Sequence, residues 1–182
     1  MVQGWTNSVE TLFYIVFSLF DQSSNELNDC SADDKIILII IKLQQIMNIE
    51  RIEHWDVLAR ACIDGRFIKL TVDWLTEKTG GVFDFRTGIG SSKAIIANEE
   101  DRESFFRVIE LSTRLHGVKE VWMIDHIDCG AYGGSERFHD DEEKELEFHK
   151  KKLEEACEIV QKEFPELKIR KFFVDWDGVT EI

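Results

Sequence analysis

The chain has 182 residues and a formal net charge of −14 at pH 7, with 43% hydrophobic and 32% charged residues. That length supports one globular domain with a sizeable core, and so acidic a balance excludes a surface built to track nucleic-acid phosphates. Four cysteines in a chain with enough core of its own predict thiols rather than a disulfide framework, and hence a reducing, cytoplasmic setting.

Residues 1–53 read as an N-terminal helical extension. Leu12–Phe20 is almost continuously apolar, but no Lys or Arg precedes it and Glu10 does, which predicts no secretory signal. The run is also too short to cross a bilayer as a helix, so no membrane association is expected. Asp21–Asp34 is polar and turn-like, and Asp33–Ile49 carries apolar residues at helical spacing and on the opposite face as well. Such a helix is buried on nearly all sides, against either its own domain or a second subunit.

The main domain, residues 54–182, opens with a strand over His54–Ala61. A helix over Phe67–Lys78 is predicted to end at Gly80-Gly81. A short strand, Val82–Phe85, runs into the loop Arg86–Gly90. Asn98 caps a helix that reaches His116 and stops at Gly117. Phe105, Val108, Ile109 and Leu115 give its buried stripe. A third strand spans Val118–Asp125, and a long charged helix spans Asp140–Phe164, with Leu146, Leu153, Cys157 and Val160 on its apolar side. Ile169–Asp175 is a fourth strand, and Val179–Ile182 hairpins back. The alternation predicts an α/β fold, a mostly parallel sheet of four to five strands flanked by helices.

Chemistry concentrates past two strand ends. His126 and Cys129 follow the third strand, and Cys62, Asp64 and Arg66 follow the first. In such sheets ligands bind beyond the carboxyl ends of the strands, so the two segments are expected to meet. Cys62, His126 and Cys129 would make a three-ligand zinc site with an open fourth position. On an extended segment, positions 62, 64 and 66 share a side. Arg66 would clamp Asp64 in a bidentate pair and aim it beside the metal. Unclamped, Asp64 would swing onto zinc as a fourth ligand and close the site. Gly130 either permits a tight turn or offers its N–H to a substrate oxygen.

Cys62-x-Asp64-x-Arg66 followed by His126-x-x-Cys129-Gly130 resembles the two signature motifs of the β-class carbonic anhydrases, over roughly residues 55–182. The resemblance implies Zn²⁺ on Cys62, His126 and Cys129, with Asp64 and Arg66 as the catalytic dyad. It implies reversible hydration of carbon dioxide to bicarbonate by a zinc-bound hydroxide. It also implies a homodimer or higher homo-oligomer, with N-terminal helices embracing the neighbour. The loop Arg86-Thr87-Gly88-Ile89-Gly90 departs from the family's usual Arg-Asn-Ala-Gly run. Relatives on the same scaffold hydrolyse carbonyl sulfide or carbon disulfide. A closed Cys₂HisAsp site would instead be a catalytically silent zinc module.

Other features have plainer readings. Gly88-x-Gly90-Ser-Ser-Lys93 lacks P-loop spacing and reads as a turn. Cys157 reads as core and Cys30 as a bystander in a polar loop. His139 and His149 flank the acidic run Asp140–Glu143, as surface residues or proton carriers.

Overall fold

The computed structural model describes residues 52–182. The expectations for Cys30 and for the apolar N-terminal extension lie outside the described residues.

Five strands form one sheet: β1 (Val57–Cys62), β2 (Asp84–Gly88), β3 (Glu120–His126), β4 (Lys168–Val174) and β5 (Val179–Glu181). Their order is β2-β1-β3-β4-β5; the first four are parallel and β5 pairs antiparallel with β4. The helices are α1 (Gly65–Thr79), α2 (Ser92–Ala97), α3 (Glu99–His116) and α4 (Glu142–Glu163). The predicted mostly parallel sheet with flanking helices is therefore the observed architecture.

The central strands β1 and β3 are buried on both faces, and their alternating residues feed two cores. Leu58, Val121 and Met123 pack with Phe105 and Ile109 of α3 and Leu153 and Val160 of α4. Val57, Ala59, Ala61, Trp122 and Ile124 pack with Phe67 and Leu75 of α1 on the other side. Full burial of a side chain such as Phe105 or Ile109 contributes about 1.5–3 kcal/mol each.

Local signals set the helix ends. Asn98 accepts a hydrogen bond from Asp101 N at 3.1 Å at the start of α3, and Gly117 ends it in the left-handed conformation at φ 75°. Asp141 caps α4 by accepting from Lys144 N at 3.1 Å. Leu115, expected in the α3 stripe, is 56% exposed; the stripe ends on Ser112 because the last turn extends past the core.

Strand β2 begins later than expected and takes in Arg86, Thr87 and Gly88, because all three pair with β1. Gly88 stands where a Cβ would lie 2.4 Å from Arg60 Nη2. A side chain at this strand position would displace the guanidinium of the buried Arg60. Helix α2 has no periodic signature in its six residues and was not expected.

The order places β1 between β2 and β3. The chain leaves β1 toward β2 through α1 on one face, and reaches β3 through α2 and α3 on the other. The crevice at the carboxyl ends of β1 and β3 is thus the switch point of the sheet, where α/β folds open a binding site.

Candidate metal centre

Cys62 is the last residue of β1 and His126 the last of β3. Cys129 follows within a tight loop, directly before a 3-10 turn over Gly130–Tyr132. The ligand atoms of Cys62, His126 and Cys129 all lie within 4.8 Å of one another, and all three side chains are buried. Among the described residues they form the one such group of His, Cys, Asp and Glu side chains. The two strand ends meet as the sequence predicted.

The donor chemistry fits a zinc ion. His126 Nδ1 lies 2.7 Å from the Ile127 carbonyl. A carbonyl only accepts, so Nδ1 carries the proton of that bond and the neutral ring presents the Nε2 lone pair. Nε2 is buried without a hydrogen-bond partner, an uncompensated polar atom that a metal would satisfy. The Cys129 thiol beside it, with His126, holds the Cys62 thiol down to about 3 against the effect of burial, while Cys129 is pushed up by the Cys62 thiolate. A dication bound there would favour both thiols as thiolates.

Asp64 and Arg66 come together by a different route from the one expected. The chain stays extended through Asp64 and turns into α1 at Gly65, so position 66 lies on a helix and not on the same extended segment as 62 and 64. Asp64 is the N-cap of α1 and accepts from Arg66 N at 3.0 Å. The Arg66 guanidinium reaches back to the same carboxylate, with Nε 3.1 Å from Oδ1 and Nη2 2.7 Å from Oδ2. These bonds hold the Asp64 carboxyl down to about 2. Asp64 stands outside the cluster of ligand atoms and is clamped by Arg66, the arrangement of an open site.

A family model described as "Putative carbonic anhydrase" matches residues 53–182. The chain belongs to this carbonic anhydrase family. It is 30% identical over 156 residues to an uncharacterized protein of Rickettsia bellii, covering 82% of this chain and 93% of that one. It is also 30% identical over 179 residues to an uncharacterized protein of Rickettsia conorii, covering 93% and 91% respectively. A solved carbonic anhydrase from Glaciozyma antarctica has the same fold, with a TM-score of 0.50 at 17% identity over 86% of this chain and 97% of that one.

The loop after β3 is held by buried ionisable groups of α4 and β3. Glu145 and His149 are 1% and 0% exposed, so the reading of His149 as a surface residue does not hold. Glu145 accepts from Asp128 N at 2.8 Å and from Ser135 Oγ at 2.6 Å. His149 Nδ1 lies 2.9 Å from Asp125 Oδ2, and Asp125 also accepts from Ser92 N and Ser92 Oγ. Ser92 Oγ lies 2.9 Å from the Tyr132 hydroxyl, and Tyr132 packs with Cys62 and Cys129. Positions 145, 149, 153, 156 and 160 make one helical stripe on the buried face of α4. That spacing was present in the sequence, but Glu145 and His149 are ionisable, and an apolar stripe alone does not reveal them.

Gly90 completes the packing. It sits at φ 67°, where a Cβ would come 2.6 Å from the Ala131 Cβ, so the loop from β2 closes tightly over the Cys129 loop. Gly130 is exposed, and a Cβ there would meet nothing within 4 Å. His139 is exposed at the end of a 3-10 turn, and Cys157 is buried in the core as expected. No described helix is long and apolar enough to cross a membrane.

Proposed function

We propose that the protein is a zinc enzyme that interconverts carbon dioxide and bicarbonate. The observation that carries this reading is the convergence of Cys62, His126 and Cys129 beside a carboxylate that Arg66 already holds. A zinc ion in that cluster supplies Lewis-acid chemistry that makes hydroxide available from water at a pH of about 7.

The chain's own groups do the rest. Asp64 is ionised throughout the working range, so it only accepts hydrogen bonds. A lone pair left free by Arg66 takes the O–H of the reacting water and aims its oxygen toward the carbon. Arg66 keeps Asp64 turned to this task and away from the metal ligands. The Phe67 ring lies 4.6 Å from the His126 ring and 5.0 Å from the Trp176 ring, an apolar wall suited to an uncharged substrate. Gly130, directly after Cys129, offers its N–H to a substrate oxygen.

The reading extends to a cytoplasmic homodimer or higher homo-oligomer. Buried thiols at the site suit a reducing compartment. Ile63 and Ile89, next in the chain to Cys62 and Gly88, are 56% and 63% exposed, apolar surface that a second subunit would cover.

Stopped-flow measurement of CO₂ hydration on protein of known zinc content tests the proposal. Turnover should scale with zinc and rise from acid to alkaline pH. Asp64→Ala should keep its zinc and lose about a hundredfold or more in turnover. Zinc-loaded protein that is inactive on CO₂ at every pH would sink the proposal and direct the assay to carbonyl sulfide and carbon disulfide.

A further inference from the structure

Asp128 lies between the ligands His126 and Cys129, and its carboxylate faces away from them, toward Arg66. Arg66 Nη1 donates to Asp128 Oδ2 at 2.7 Å, and Arg66 Nη2 donates to the Asp128 carbonyl at 3.1 Å. The guanidinium is therefore shared between two carboxylates, one in each motif: Asp64 along its Nε–Nη2 edge and Asp128 at Nη1.

Asp128 is fixed from every side. Its backbone is left-handed, at φ 55°, a conformation that Asp and Asn tolerate better than most residues. Its N–H is bound by the buried Glu145. Its second oxygen, Oδ1, accepts from Ser135 N at 2.9 Å. Gly134 leaves that oxygen its space, since a Cβ there would lie 2.9 Å from it. The two side chains are similarly accessible, 46% for Arg66 and 36% for Asp128, but Asp128 is tied to its own loop, whereas the Arg66 guanidinium is held through the carboxylates of Asp64 and Asp128.

We infer that Asp128 is a positioning residue that anchors Arg66 over the metal loop and thereby keeps Asp64 off the metal. This rests on the zinc reading given above and extends it to a residue outside the ligand set and the dyad. With Asp128 in place, Arg66 stays within reach of Asp64 whichever way that carboxylate turns, and the clamp re-forms. Without the Asp128 charge, Arg66 is free to swing into solvent. Asp64 then loses its partner and takes the fourth metal position, shutting out exogenous ligands.

The test uses the full chain with Co²⁺ in place of zinc and thiocyanate as the probe, followed by the visible spectrum of the cobalt. Asp128→Asn keeps the left-handed backbone and an oxygen for Ser135 N but removes the charge. It should bind one equivalent of cobalt like the parent and bind thiocyanate about tenfold more weakly, the scale of losing one charge-assisted hydrogen bond. In Asp64→Ala protein, where nothing can close the site, adding Asp128→Asn should change thiocyanate affinity by less than about twofold, because the two residues act in one chain of contacts. Equal thiocyanate affinity in parent and Asp128→Asn overturns the inference and leaves the metal reading standing. An equal loss in both backgrounds also overturns it, because the loop itself would then have been disturbed. A parent chain that takes up no cobalt overturns the metal reading and the inference with it.

Discussion

At the site, the decisive contrast is between two residues with the same side chain. Asp64 and Asp128 both meet Arg66, but Asp64 caps a helix beside the metal ligands while Asp128 is built into the loop between them. The depressed carboxyl of Asp64 has a consequence for acid stability. Its folded value of about 2 lies below the usual carboxylate range. Its contribution is therefore fully present above pH about 4 and is lost as pH falls toward about 2. Solvent screening keeps the effect small, since Arg66 is 46% exposed. In metal-free protein, the melting-temperature gap between the parent and Asp64→Asn should shrink to nothing across that window; a gap constant from pH 5 to pH 2 would contradict the assignment. At the neighbouring ligand, Cys129→Ser should surrender zinc to a chelator far faster than the parent, and equal retention would remove Cys129 from the ligand set.

Among the elements, α4 does more than cover the sheet. Its apolar positions Leu153, Ala156 and Val160 pack into the core, while Glu145 and His149 on the same stripe reach the loop after β3. A buried carboxylate is tolerated there because it accepts from Asp128 N and Ser135 Oγ. Glu145→Ala should cost about 1–3 kcal/mol in urea unfolding, the penalty for stranding those donors. It should also release the loop that carries Cys129, which would appear as faster amide exchange over residues 127–135. Stability and exchange both unchanged would show that Glu145 does not hold the loop. Phe105→Ala on α3, in a core cluster separate from Cys62, Cys129 and Tyr132, should cost about 3–5 kcal/mol while zinc affinity stays near that of the parent.

At the scale of the molecule, the proposed zinc site would couple metal binding to folding. Three ligands on two strand ends come together only in the folded sheet, so the ion would bind the native chain and not the unfolded one. Chelator-stripped protein should melt several degrees lower than holoprotein, with recovery on adding zinc. A melting temperature indifferent to zinc would mean that the cluster does not bind the ion tightly in solution.

Several features were legible in the chain because they are local. Hydrophobic periodicity, caps at Asn98 and Asp141, and terminating glycines at 80 and 117 fix the long helices. The parallel β-α alternation then follows, with Cys62, His126 and Cys129 all near carboxyl strand ends. What remained hidden depends on neighbours distant in sequence. Arg86–Gly88 became strand because β1 offered hydrogen bonds there, and a side chain at Gly88 would displace the Arg60 guanidinium. Glu145 and His149 went inside because a loop 17 residues away from Glu145 supplied a donor and Asp125 supplied an acceptor. The fold class, and the placing of Cys62, His126 and Cys129 at neighbouring strand ends, were thus determined by the sequence itself, through local propensity and motif spacing. Tertiary structure alone decided that Arg66 is shared with Asp128, since that hydrogen bond joins residues 62 positions apart and exists only once two strand ends meet.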